Sequence, residues 1–192
     1  LQEASVTDSL TGLKNRRYLY ESIEARVASI TRRVEDTLTG DNRSNTIDLA
    51  PSMFFMMIDL DGFKSINDTY GHAAGDKALI QVRDILQATC RKSDIIIRWG
   101  GDEFALLISS QVNEDECAKT LDRLLERLAV PYTVQGHIFD VTASIGVTIY
   151  PQDNGDPDTL LRHADLAMYQ VKAQGRNACA FFAGRLGTRP LD

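Results

Sequence analysis

The sequence predicts a mixed α/β fold of the α+β kind, a central and mostly antiparallel sheet flanked by helices. Two observations carry this. Amphipathic helical stretches alternate with short apolar runs, and some of those runs are joined by glycine-containing turns of hairpin type. No internal repeat or low-complexity segment points elsewhere.

The elements follow in order. Residues 16–30, RRYLYESIEARVASI, place Leu19, Ile23, Val27 and Ile30 on one helical face. The polar stretch after them contains Gly40, Asn42 and Asn45 and reads as a long surface loop over residues 36–51. SMFFMMIDL is a continuous apolar run, a buried strand that delivers Asp59 at its end. A short helical turn ending at Gly71 comes next. A longer helix then starts near Ala73, with Leu79, Val82, Ile85 and Leu86 facing inward. Residues 94–98 and 103–109 read as strands joined through Gly100-Gly101. CAKTLDRLLERL sets Cys117, Leu121, Leu124, Leu125 and Leu128 on one stripe. Residues 132–150 read as a second hairpin turning near Gln135-Gly136. A helix over 157–174 buries Leu160, Ala164, Ala167, Met168 and Val171, and a strand over 178–182 follows. One domain over residues 1–184 with a tail, 185–192, accommodates all of these.

With 192 residues, 43% hydrophobic and 25% charged, the chain can bury a substantial core and has the composition of a globular protein in water. Its longest wholly apolar run, Met53 to Ile58, is far short of the roughly 20 residues of a membrane span. A cytoplasmic location is expected, with membrane anchoring left to a parent protein. The opening LQEASVTDSLTGL carries no signal segment and reads as the start of a piece cut from a longer chain. Net charge is −6 without a clustered basic stripe, which argues against duplex nucleic acid as a partner. Cys90, Cys117 and Cys179 are scattered and odd in number, so they suit neither a disulfide framework nor a zinc site.

The acids are the informative residues. Asp59 closes one strand, and Asp102-Glu103 sits at the tip of a hairpin. If those strands are neighbours, several carboxylates meet at one end of the sheet. That is costly unless a cation neutralises them, and hard oxygen donors without histidine or thiolate select magnesium or manganese. Asp61 is balanced between a metal role and a simple cap of the following turn. MMIDLDG also fits the DxDG start of haloacid-dehalogenase phosphatases. Phe63-Lys64 follows where that pattern wants Thr or Val, however, and hairpins interrupt the repeated βα order it requires.

RWGGDEF, residues 98–104, resembles the signature of the GGDEF family of diguanylate cyclases. DSLTGLKNRR (8–17), IDLDGFKSINDTYGHAAGD (58–76) and ADLAMYQVKAQGRN (164–177) match that family's other blocks in order, so the resemblance covers about residues 5–182. It implies a fold like the nucleotidyl-cyclase and polymerase palm. It also implies condensation of two GTP into cyclic di-GMP with release of two pyrophosphates, in a homodimer whose protomers each hold one GTP.

The implied roles are specific. Asp59, Asp102 and the carbonyl of Leu60 would hold two Mg2+ or Mn2+ ions per active site. Asp102 or Glu103 would accept the proton of the attacking hydroxyl. Backbone amides near Gly62 and Phe63 would cradle phosphates, and Lys64, Lys172 and Arg176 would neutralise the triphosphate. Lys172 and Arg176 lie four apart at the end of the last helix, which would point both the same way. Asn67 and Asp76 would read guanine, since a carboxylate can accept both N1–H and the exocyclic amine. His72 reads as structural, and His137 and His163 carry no implied role. The glycines before Asp102 would let substrate approach the hairpin backbone.

RKSD, residues 91–94, fits the family's RxxD inhibitory site, in which Arg91 and Asp94 would bind cyclic di-GMP as feedback inhibitor. The loop at 36–51 is longer than the family's usual connection. The wording of residues 164–177 is common in members fused to a phosphodiesterase domain. A sensory region before the chain and such a domain after it are therefore expected partners. The competing class is a silent module that binds GTP or cyclic di-GMP and regulates a larger protein.

Overall fold

Strand β1, Met53–Asp61, is buried along its whole length, as a strand inside a sheet covered on both faces must be. The computed structural model describes residues 5–39, 52–109, 114–153, 156–182 and 189–190. It sets β1 antiparallel to β3 (Glu103–Ser109) on one side and to β6 (Thr142–Tyr150) on the other. β2 (Ile95–Gly100) forms a hairpin with β3. β7 (Ala178–Phe181) runs parallel to β6, and β8 (Arg189–Pro190) pairs antiparallel with β7. The order β2-β3-β1-β6-β7-β8 is the mostly antiparallel central sheet that the sequence predicts.

Alternation along β1 feeds two separate cores. Phe54, Met56, Ile58 and Leu60 join the layer built with α2 (Phe63–Tyr70), α3 (His72–Thr89) and α4 (Glu114–Leu128). Met53, Phe55 and Met57 join the opposite layer with α1 (Arg16–Thr39) and α5 (Pro157–Ala173). Asp59 and Asp61 continue that second face past the end of its apolar cluster. A slip of one residue would exchange the faces and drive both carboxylates into the larger core, so the register that packs the core also aims the acids. Gly146 on β6 lets α5 lie close. A Cβ there would meet Met168 N at 2.5 Å and would collide with the carbonyl of Ala164.

Three expectations need correction. Helix α1 continues to Thr39, so residues 36–39 are not loop, and residues 40–51 lie outside the described ones. The periodic face of Ile23, Val27 and Ile30 simply extends to Val34, which packs on the same core. The stretch 132–150 is not one hairpin. β4 (Tyr132–Val134) and β5 (His137–Phe139) form a two-stranded sheet of their own, while β6 leaves to pair with β1. Its turn is where the sequence places it, with positive φ at Gln135 (52°) and Gly136 (79°). Finally, α5 ends at Ala173, so Arg176 is not on the helix with Lys172. Among the described residues no helix is long and apolar enough to cross a membrane.

Candidate active site

The end of β1 and the tip of the β2–β3 hairpin meet. Asp59 stands opposite Glu103 in the ladder, and Leu60 N–H donates to the carbonyl of Asp102 at 3.2 Å. Asp59 is 8% exposed, and its carboxylate accepts a hydrogen bond from Lys172 Nζ, which reaches down from the last turn of α5. Lys172 is thus already engaged with an acid, a pairing that sequence spacing did not show. Burial pushes the Asp102 carboxyl above the ordinary range, and the charge of Asp59 adds to it. Glu103 is raised by burial as well, then by Asp59, Asp165 and Asp102.

Asp165 extends this acidic field and was not singled out in the sequence. Partial burial raises its carboxyl first; Lys172 and Arg16 pull it back, and Asp59 raises it further. The signal was available, because residues 165, 169, 172 fall in one row along a helix.

Asp61 belongs to the structure rather than to the acidic cluster. Thr142 and Ser144 hydroxyls on β6 donate to it at 2.7 and 2.8 Å, and Asn177 N–H donates at 3.1 Å. Arg176 approaches it at 3.8 Å. Lys172 and Arg176 converge on the end of β1 through a turn, not through helical spacing. Positive φ at Gly175 (113°), Arg176 (65°) and Asn177 (47°) folds the chain back after α5.

On the other face, Gly62 takes a left-handed conformation (φ 78°) and starts α2. Phe63 is buried and lines the adjacent cavity. That cavity, of about 450 Å3, is also lined by Lys64, Asn67, His72, Asp76 and Asp102 among others. Both residues expected to read a base therefore share one cavity with one of the acids. His72, read as structural, also lines it. Asp76 lies one turn inside α3, not in its first turn. Gly75, which no motif argument selected, makes room for Asn67: a Cβ there would lie 2.8 Å from Asn67 Cγ.

The hairpin tip is tied down from the N-terminal side. Arg98 donates to the carbonyl of Gly101 from Nε (3.1 Å) and Nη2 (2.7 Å) and pairs through Nη1 with Asp8 at 3.2 Å. Burial works against the Asp8 carboxylate, but hydrogen bonds from Thr11 and the charge of Arg98 outweigh it and hold the carboxyl below the usual range. A separate cavity of about 550 Å3 is lined by Arg91, Asp94, Lys119 and Arg123. There Asp94 Oδ2 accepts from Arg91 N–H at 2.8 Å, closing the RKSD turn.

Among the described residues no three His, Cys, Asp or Glu side chains are gathered at ligand spacing as they stand. The donor set nevertheless suits a hard divalent cation: carboxylate oxygens, two of them on groups raised first by burial and then by the charge of Asp59, with a lysine ammonium already against the third. A cation at that place would add to the offset of that repulsion which Lys172 already supplies.

Fold and site together define a layered α/β domain with an acidic centre beside a polar cavity, and with Lys172 and Arg176 paired to the acids at the end of β1. The profile of the family described as "Diguanylate cyclase, GGDEF domain" matches residues 5–178, and the chain belongs to that family. It is 37% identical over 192 residues to the bifunctional diguanylate cyclase/cyclic di-GMP phosphodiesterase MucR of Pseudomonas aeruginosa, covering 100% of this chain and 26% of MucR. It is also 37% identical over 183 residues to the response regulator PleD of Caulobacter vibrioides, covering 92% of this chain and 36% of PleD. The chain thus spans about a quarter to a third of these relatives. Among solved structures, the GGDEF domain of TpbB (YfiN) from Pseudomonas aeruginosa superposes with a TM-score of 0.80 at 29% identity, over 92% of this chain and 94% of that one.

Proposed function

We propose that the chain is a catalytic domain that condenses two GTP into cyclic di-GMP and two pyrophosphates, one GTP held by each of two facing protomers. The observation that carries this reading is the meeting of Asp59, Asp102 and Glu103 at one sheet end, beside a cavity shared by Asn67, Asp76 and Asp102. The relatives named as diguanylate cyclases support it.

In this reading the 3′-hydroxyl of each GTP attacks the α-phosphorus of the other, so the same exchange happens twice. A P–O bond forms to the ribose, the bond to the β-phosphate oxygen breaks, and pyrophosphate leaves with the electron pair. Asn67 and Asp76 hold guanine by its Watson–Crick edge, which adenine cannot imitate. Lys64, Lys172 and Arg176 bind the triphosphate, with the amides near Gly62 and Phe63. Lys172 leaves Asp59 for phosphate as the nucleotide enters. Asp59, Asp102 and the Leu60 carbonyl would hold two divalent ions, which supply electrophilic assistance at the phosphates and lower the pKa of the attacking hydroxyl. Asp102 or Glu103 would take that proton.

Arg91 and Asp94 form the feedback site for cyclic di-GMP. Their cavity also contains Arg123 and Lys119, the further cations that recognition of a dianion needs.

The test is GTP turnover with magnesium at several protein concentrations, product read by mass, beside Asp102→Ala. Cyclic di-GMP rising more steeply than protein concentration, and absent in the variant, supports the dimeric cyclase. GTP binding without product, even when two copies are joined, replaces it with a silent regulatory module.

A further inference from the structure

β2 and β3 do not pair evenly at their shared end. The ladder runs Arg98↔Phe104 and then Gly100↔Glu103, so Trp99 is an extra residue in a β-bulge. Gly100 and Gly101 follow with φ of 153° and 52°. Such a turn is soft, because neither glycine has a side chain to hold it. It nevertheless carries Asp102 and Glu103 toward Asp59, against the mutual repulsion of three carboxylates.

Arginines grip the turn from both sides. Arg98 binds the carbonyl of Gly101, as described. Arg16, the first residue of α1, donates Nε–H to the carbonyl of the bulged Trp99 at 3.0 Å and lays its guanidinium over the Trp99 ring, 4.3 Å from the centroid. Its Nη2 lies 3.9 Å from the place a Cβ on Gly100 would take. A cation in the first turn of a helix opposes the helix dipole at a cost of about 0.3–1 kcal/mol, so Arg16 is badly placed as a mere surface residue of α1. Its contacts to the hairpin explain the placement.

We propose that Arg16 is a positioning residue for the Gly100–Glu103 turn: with Arg98 it holds the two carbonyls that bracket Gly100 and so keeps the acids aimed at Asp59. Lysine cannot replace it. Stacking on the indole while donating sideways to a carbonyl needs the flat guanidinium fork. The kinetic consequence rests on the cyclase reading; the structural one does not.

The experiment compares Arg16→Ala and Arg16→Lys with the unaltered chain. Amide hydrogen exchange is measured across residues 99–103, together with Tm, kcat and KM for GTP. The expected result is exchange about tenfold faster or more at Gly100–Asp102 in both variants, with Tm little changed. Turnover falls by roughly 10–100-fold through kcat while KM stays within about twofold, because the base-reading cavity is untouched. Arg16→Lys carries the test alone if Arg16→Ala does not fold. Unchanged exchange in the turn overturns the proposal, whatever happens to turnover, and so does full recovery of exchange and kcat by lysine. Faster exchange in a protein that makes no cyclic di-GMP even before substitution leaves Arg16 as proposed and removes the cyclase reading instead.

Discussion

Gly75 on α3 faces the carboxamide of Asn67 on α2 with no room between them for a methyl group. A Cβ at residue 75 would also come within 3.2 Å of the Phe63 ring. The end of Asn67 is flexible, so in Gly75→Ala it swings away rather than unfolding the helices. Stability should change by about 1 kcal/mol or less, the small end of overpacking costs. Affinity for a non-reactive GTP analogue, measured by calorimetry, should fall about tenfold, the value of one good hydrogen bond. Unaltered affinity would remove Asn67 from base recognition.

Gly146→Ala offers the contrasting case. The groups in its way are the backbone of α5 at Ala164 and Met168, which cannot rotate aside. The helix must lift from β6, and urea unfolding should show a loss of about 1–3 kcal/mol. That lift also moves Lys172, so phosphate binding should weaken in the same variant.

Asp102→Asn removes one charge from three crowded carboxylates. Without added metal, the variant should melt above the parent, by about 2–4 °C for each 1 kcal/mol relieved in a domain of this size. It should make no cyclic di-GMP. Magnesium should raise the Tm of the parent and not of the variant. A metal-free Tm below that of the parent would show that the acid stabilises the fold.

Asp8 gives a pH signature. Its carboxyl is held below the ordinary value in the native state, so the charged form stabilises the fold. That contribution is complete above the unfolded pKa of about 3.9 and is lost as pH falls through the lowered native value. Asp8→Asn should therefore melt below the parent at neutral pH, and the two melting curves should approach one another below about pH 4. A constant gap across that range would assign the loss to packing, not to charge.

Arg91→Ala leaves the acidic centre intact and removes a cation from the separate cavity. Initial rates should match the parent, while the concentration of added cyclic di-GMP needed for half inhibition should rise at least tenfold, as for loss of a charge-assisted bond. Inhibition that persists unchanged would place the regulatory ligand elsewhere.

Much of this was legible in the chain because the signals are local. The continuous apolar run of β1 announces a buried strand, Gln135-Gly136 announces the turn between β4 and β5, and Asp102-Glu103 follows a glycine pair that could hardly lie in a helix. The end of α1 was missed because charged residues around Val34 hid a stripe that continues unchanged. The split of residues 132–150 was missed for another reason. Whether a strand pairs with its neighbour in sequence or with β1 depends on which edge of the sheet is open, and no local pattern records that.

Asp59 and Asp61 mark where the sequence stops. Read alone, the chain determines that a buried apolar strand delivers Asp59 at its end, with Asp61 two residues further on. Only the folded molecule decides that Asp59 meets Lys172 and stands opposite Glu103, while Asp61 is consumed by Thr142, Ser144 and the backbone of Asn177. The three partners of Asp61 come from more than 80 residues away, brought in by the pairing of β6 with β1 and by the reversal after α5. A carboxylate acquires a role from the donors and charges around it, and these are set by packing at long range, not by its neighbours in the chain.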